Sequence, residues 1–403
     1  MLRPPIGYVV QTFPLVSETF VENEVRTVRE QGIDVVLASL QRPMEGREAP
    51  TVLPPERLTY RPPPRRRRVE ILRWFLRRPI ASTANILTAL RNRSETMLRG
   101  CGDAAWIATV FERAHVEQIH AHFATEGAAV AMATARLLDV PFTFTAHAVD
   151  LYKRTAGLCS KSAAAARVVT VCDYNIEQLL ARCPALTRDR IELVYCGVDT
   201  DEFTLREELP PDDGVLRVLS VGRLVPKKGF DDLIRAVALA RRRSVSIELD
   251  IIGEGHQRAE LAALVAELGV TESVRLLGLQ PNARVREALV ATDVFALACV
   301  VDASRDRDSM PVVIKEAMAV GVPIVATDEV GIPEMVDARV GRLIPPANPE
   351  KLAEALIELA AMPAAERRAL GLAARARAVE RFDLRQETAK LAALFDAVRE
   401  GTG

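Results

Sequence analysis

The stretch VLRVLSVGRLVPKKGFDDLIRAVALARR, Val215–Arg242, decides the fold. Val215–Ser220 is a short apolar run of strand length. Val221-Gly222-Arg223-Leu224 and Pro226-Lys227-Lys228-Gly229 interrupt it, and Phe230, Leu233, Ile234 and Val237 then recur at helical spacing. Strand, glycine-bearing turn and helix form the unit from which parallel sheets are wound.

The alternation extends outward from there. Downstream it predicts strands at Ile247–Ile252, Val274–Leu276, Val294–Leu297 and Pro323–Ala326, a helix carrying Leu261, Leu264, Val265 and Leu268, and a helical tail over Pro349–Glu400. Upstream it predicts strands at Ile6–Val10, Val35–Ser39, Ile119–Ala121, Phe142–Thr145, Val168–Val171 and Ile191–Val194. The first helix is expected behind Ser17 as N-cap, with Phe20, Val21, Val25 and Val28 on one face and Gly32 past its end. Between the halves, Thr204–Gly214 is polar and aperiodic, with two prolines and a glycine. The expected organisation is an α/β protein of two doubly wound domains, 1–200 and 215–380, with a linker at 201–214. A C-terminal helix, 381–403, is expected to return to the first domain. Ligands of such sheets bind outside the carboxyl ends of the strands.

The chain has 403 residues, of which 49% are hydrophobic and 27% charged, which excludes disorder, collagen and coiled coil. With 53 basic against 54 acidic residues there is no global field to gather nucleic acid. No apolar run is long enough to span a bilayer. The start of the chain runs directly into strand-like sequence, so no signal peptide is expected. The six cysteines show no paired spacing and are expected to be reduced, in a cytoplasmic protein. One segment stands apart. Arg57–Arg78 holds nine arginines against the single acid Glu70, together with Ile71, Leu72, Trp74, Phe75 and Leu76. It reads either as a peripheral contact for an anionic membrane or lipid-linked acceptor, or as a solvated loop followed by a helix packing its apolar side inward. The second, plainer reading is preferred.

Three crests carry the candidate chemistry. Arg223 and Lys228 place two cations after a strand and beside a helix start, which suits a diphosphate. Gly253-Glu254-Gly255 forms a second glycine-bearing turn. In Asp308-Ser309-Met310-Pro311-Val312-Val313, followed by Glu316, free amides of a proline-started helix adjoin carboxylates suited to sugar and ribose hydroxyls. The spelling Asp306-x-Asp308 also resembles a metal-binding motif, but no further ligands cluster with it, and no metal or other cofactor is expected.

Taken together, VGRLVPKKGFDDLIRA (221–236), LDIIGEG (249–255), VRLLG (274–278), Asp308 to Glu316 with MPVVIKEAMA, GVPIVAT (321–327) and GIPEMV (331–336) resemble the family-4 retaining glycosyltransferases of the GT-B fold. In the first half TFPLVSETFVENE (12–24), HAHFA (120–124), FTFTAHAVDLY (142–152), VVTVCDYN (168–175) and YCGVD (195–199) add to the likeness, most closely to the exopolysaccharide, colanic-acid-type branch. The resemblance implies two Rossmann-like domains facing across a cleft. It implies transfer of a sugar from a nucleoside diphosphate, UDP favoured and GDP also admitted, to a glycan, glycolipid or small-molecule acceptor. It assigns the diphosphate to Arg223 and Lys228, helped by backbone amides of Ser309–Val313, the ribose to Glu316 and donor-sugar hydroxyls to Asp308. Gly222, Gly253, Glu254 and Leu279 fall around the nucleotide. His147 is expected near the reacting carbon, and Ser17, Glu18, Thr19, His122 and Asp150 on the acceptor side; of His120 and His122, only His122 is expected to face the cleft. The chain departs from the pattern where Asp308-Ser309 replaces the usual Glu-Gly, where Ala148 follows His147, and where Cys172 replaces Ser. The rival readings are a nucleotide-sugar epimerase on the same fold and a non-catalytic binding protein.

Overall fold

The computed structural model describes residues 3–15, 18–44, 50–92 and 94–401, the side chain of Glu95 excepted. The chain forms two compact units, Met1–Tyr195 with Leu384–Gly403, and Cys196–Asp383. Each is built on a parallel sheet whose central strands are buried on both faces, which is why they read as apolar runs rather than as alternations.

The first unit contains β1 (Arg3–Thr12), β2 (Ile33–Gln41), β3 (Leu58–Tyr60), β4 (Gln118–His122), β5 (Phe142–Ala146), β6 (Arg167–Thr170) and β7 (Ile191–Leu193), in the order β3-β2-β1-β4-β5-β6-β7. Helices α1 (Thr19–Glu30), α2 (Pro64–Arg77), α3 (Pro79–Arg91), α4 (Glu95–Arg113) and α5 (Glu126–Leu138) connect its first strands. Strand order reverses between β1 and β4, so their carboxyl ends part there and leave a crevice. The C-terminal helix Leu384–Arg399 belongs to this unit. Phe395 is fully buried beside the rings of Tyr8 and His120, Glu387 accepts from the Tyr195 amide at 2.8 Å, and Arg399 donates to the Pro4 carbonyl at 2.9 Å.

The second unit contains β8 (Leu216–Val221), β9 (Ile247–Ile252), β10 (Val274–Gly278), β11 (Val294–Leu297), β12 (Ile324–Thr327) and β13 (Gly341–Ile344), ordered β10-β9-β8-β11-β12-β13. Its switch point lies between β8 and β11. Two glycines permit the backbone to close in there. Gly229 has φ +63°, and a Cβ on it would stand 1.8 Å from the Ala298 carbonyl oxygen; Gly253 has φ +149° and the same conflict with the Gly222 carbonyl.

Residues 201–214, expected as a linker, fall inside the second unit. Their first half is laced to it: Arg375 donates to the Phe203 and Thr200 carbonyls, the Arg206 amide donates to Val320, and the Arg206 guanidinium donates to Thr292. The cysteines also differ from expectation. Cys159 and Cys183 form a disulfide, because the helices Leu158–Ala164 and Asp173–Arg182 bring their Cα atoms to 5.1 Å, within bonding range. Cys172 and Cys299 are buried thiols, and Cys101 and Cys196 half-buried ones.

Candidate functional site

In the second unit the three crests arrive at the carboxyl edge of the sheet. The turn after β8 carries Gly222, exposed Arg223 and, in the one-turn helix Pro226–Lys228, the two lysines. Lys228 Nζ lies 2.6 Å from one oxygen of Asp308, and Lys227 Nζ 2.9 Å from the other. Lys227 also reaches Asp306 at 3.1 Å, so both carboxylates of the Asp306-x-Asp308 spelling are met by an ammonium group. Burial alone would raise the Asp308 carboxyl, but Lys228 and Lys227 outweigh it and hold the group well below the usual carboxylate range. Burial likewise pulls the Lys228 ammonium down, and Asp308 more than restores it against the opposing charge of Arg223. Arg223 makes no ion pair among the described residues.

Ser309 and Met310, both buried, lead into the helix Val312–Val320, which Pro311 precedes as N-cap. Its first amides, those of Val312 and Val313, are among the orphan donors of a helix start. Glu316, half-buried on this helix, has its carboxyl pushed up to about 7, by burial first and then by Glu202, against the opposing Lys315 and Arg286. The buried Cys299 thiol, 3.9 Å from Asp308, is pushed up to about 12 by burial and stays protonated. Gly253 lies where the backbone turns closely past Gly222. Glu254 is exposed and pairs with Arg258 at 2.9 Å, and Leu279 is exposed. Lys227 escaped the sequence reading. Its signal was present, two adjacent lysines opposite two acids spaced by one residue, but only a fold brings 227 to 306 and 308.

In the first unit, His147 sits just beyond the carboxyl end of β5 and packs on Phe123 and Phe20, with ring centroids at 4.4 and 5.1 Å. Its Nε2 lies 3.3 Å from His122 Nδ1, and His122 Nε2 lies 3.0 Å from Glu24 Oε1, an atom that also accepts from the Tyr8 hydroxyl at 2.9 Å. The Tyr8 phenol is held protonated by burial and by Glu24. Burial, and then His122, push His147 well below its ordinary value, so it is a neutral imidazole. Glu24 accepts, so His122 carries its proton on Nε2. Its Nδ1 in turn is hydrogen-bonded to His147 Nε2, which leaves His147 Nδ1 free of this network.

Two expectations change here. His122 is buried behind His147 rather than presented to a ligand; His120 and His122 are two apart on β4 and share one face, with His120 bound to the hydroxyls of Thr143 and Thr145. Asp150 does not face an acceptor either. It is fully buried and accepts from the amides of Ala124 at 2.6 Å and His147 at 3.0 Å, clamping the turn that carries His147. Burial pushes its carboxyl up to about 7, against the backbone hydrogen bonds and Lys161. Glu24 and Tyr8 were not singled out in the sequence, and Phe20 was read only as part of the apolar face of α1, since nothing in the spacing ties β1 and α1 to β4. Ser17 lies outside the described residues; Glu18 precedes α1 as its N-cap and Thr19 begins it, half-buried. Glu24, His120 and His122 each offer a ligand atom within 4.8 Å of the others, a spacing open to a metal ion. All four ring nitrogens already face hydrogen-bond partners, which an ion would have to displace.

Known proteins resemble this chain in sequence and in fold. Residues 17–202 match the family model "Glycosyltransferase Family 4" and residues 201–377 the model "Glycosyl transferases group 1". The fold is that of the two-unit GT-B glycosyltransferases, and the chain carries a glycosyltransferase family 4 domain followed by a glycosyl transferases group 1 domain. It is 27% identical, over 98% of its own length and 100% of the other, to a glycosyltransferase of Escherichia coli K12 named for colanic acid biosynthesis, WcaL. It is 34% identical to the amylovoran biosynthesis glycosyltransferase AmsK of Erwinia amylovora, over 44% of this chain and 43% of AmsK. A GDP-mannose-dependent phosphatidylinositol monomannoside mannosyltransferase of Mycolicibacterium smegmatis is 34% identical over 51% of this chain and 56% of that protein. Among solved structures, Anabaena HepE in complex with UDP superposes with TM-score 0.70 at 16% identity, covering 98% of this chain and 100% of that one. The sucrose-phosphate synthase of Thermosynechococcus elongatus superposes with TM-score 0.72 at 17% identity, covering 99% and 100%.

Proposed function

We propose that the chain is a retaining, metal-independent glycosyltransferase that moves a sugar from a nucleoside diphosphate, UDP favoured and GDP also admitted, to a hydroxyl of a glycan, glycolipid or small molecule. The observation that carries this reading is the Lys227–Lys228–Asp308 cluster at the carboxyl edge of the second sheet, beside the open start of the helix Val312–Val320. In the free protein the Asp308 carboxylate neutralises Lys228. An arriving diphosphate offers more charge, so Lys228 turns to it with Arg223, while Lys227 remains held by Asp306. Asp308 is then freed to accept from hydroxyls of the donor sugar, and Glu316 from those of the ribose. The amides of Ser309, Met310, Val312 and Val313 supply the remaining donors; Pro311 has none to give. Gly222, Gly253, Glu254 and Leu279 border the nucleotide.

Departure of the nucleotide leaves negative charge on the diphosphate as the anomeric carbon becomes cationic. Fixed cations at that point favour the transition state over the ground state, and remove the need for a metal ion to do so. The acceptor oxygen bonds to the anomeric carbon on the face the phosphate leaves, and the departing phosphate oxygen takes the acceptor proton. That route needs no glycosidase-like carboxylate pair. His147 is the first unit's contribution to the transferred sugar, as a neutral hydrogen-bond partner. Ser17, Glu18 and Thr19 stand on the acceptor side. The site of action is cytoplasmic.

Incubation with UDP- and GDP-sugars, with and without a lipid-linked saccharide, tests this reading. Consumption of donor that depends on acceptor, giving a product of unchanged anomeric configuration, supports it. Epimerised or hydrolysed donor without acceptor would assign the fold to an epimerase, and absence of any donor binding to a non-catalytic protein.

A further inference from the structure

Most of the apolar residues of helix α2 do not pack inward. Helix α2 buries Trp74, whose indole donates to Thr109 at 2.9 Å, and leaves Val69, Leu72 and Leu76 exposed at 65, 62 and 73%. These three recur at spacings of three and four on the side opposite Trp74, where a helix resting on a protein core ordinarily carries polar residues. Helix α3 repeats the inversion. It buries Asn85 and Ala89 and turns out Ile80, Leu87 and Leu90, exposed at 86, 59 and 58%. Both helices rest on α4. Ten of the twenty exposed large apolar residues among those described lie between Val69 and Leu98.

The arginines divide in the same way. Arg67 is tied back to Asp103, Arg73 and Arg77 to Glu112, and Arg78 to Asp139, and these pairs fasten the hairpin to its unit. Arg65, Arg68 and Arg91 are exposed and make no ion pair among the described residues. Apolar side chains at the centre of an exposed face, with unpaired guanidinium groups beside them, match the acyl boundary and the anionic headgroups of a lipid surface. Among the described residues no helix is long and apolar enough to cross a membrane, so the contact lies in the interface. We infer that the outer face of α2 and α3 docks this protein on an anionic phospholipid bilayer. The inference rests on residues of the first unit alone and stands apart from the donor chemistry proposed above.

Sedimentation of the full-length chain with vesicles tests it, comparing pure phosphatidylcholine with phosphatidylcholine containing 30% phosphatidylglycerol. The expected result is at least tenfold stronger binding to the anionic vesicles, weakening as salt is raised. Two variants, Leu72→Ser/Leu76→Ser and Arg65→Gln/Arg68→Gln, should each reduce that binding severalfold while circular dichroism and melting temperature stay unchanged. All four positions face outward, and the two variants check each other should one disturb the helix. Equal binding to both kinds of vesicle, no binding to either, or variants that bind like the parent would overturn the inference. So would self-association of the parent chain that Leu72→Ser/Leu76→Ser abolishes, since the face would then pair two copies.

Discussion

The state of His147 is set by residues that a ligand need never touch. Its Nε2 is hydrogen-bonded to His122, whose own far nitrogen is hydrogen-bonded to Glu24, so the chain of hydrogen bonds biases the tautomer of the ring. Removing the anchor should release the choice. Glu24→Ala is expected to lower kcat about tenfold, the order of one charge-assisted hydrogen bond, whereas Glu24→Gln, whose carbonyl can still accept from His122, keeps most of the rate. The imidazole 15N shifts of His147 should move in the first variant and not in the second. Unchanged shifts and rates in both would show that the anchor does not set the tautomer.

Glu316 carries a different signature. Its carboxyl is pushed up to about 7, so the form that accepts from hydroxyls is the minor one at pH 6 and the major one at pH 8. Affinity for the nucleoside diphosphate should therefore rise by roughly tenfold across that interval, and Glu316→Gln should flatten the rise, as calorimetry at several pH values would read. The same shift makes folding less favourable as pH climbs from 4.5 to about 7, because the folded chain holds a proton that the unfolded chain has released.

At the scale of elements, what the sequence made legible was whatever periodicity encodes. The strands at Ile247–Ile252 and Val294–Leu297 lie where their apolar runs place them, and the helix after Gly229 begins at Phe230. Two of the four edge strands did not announce themselves. Leu58–Tyr60 has three residues and Gly341–Ile344 begins on a glycine, too little pattern for a strand signal. The direction of α2 was legible in its spacing and misread. Its apolar residues occupy one face, but the single indole on the opposite face, bound to Thr109 and surrounded by core, decides which face goes in. The candidate site divides likewise. Cations beside a glycine turn can be read locally, whereas the Lys227–Asp306 and Glu24–His122 pairs join residues 79 and 98 positions apart and need the fold to be seen.

For the whole molecule, two parallel sheets present different chemistry at their carboxyl edges. The first holds an aromatic-walled histidine network backed by Glu24. The second holds fixed cations already neutralised by an internal carboxylate, and an open helix start. A site of that second kind is suited to exchange one anion for another, the requirement for gripping and releasing a nucleotide in each turnover. The central claim is thus about Lys228. Isothermal titration of UDP and GDP into the parent chain and into Lys228→Ala is the direct test. The account predicts that one of the two nucleotides binds the parent, and that the variant, still folded, binds it roughly 100-fold more weakly, the order of a lost charge-assisted phosphate contact of about 3 kcal/mol. Equal affinity in the two proteins, or no binding of either nucleotide to the parent, would contradict it.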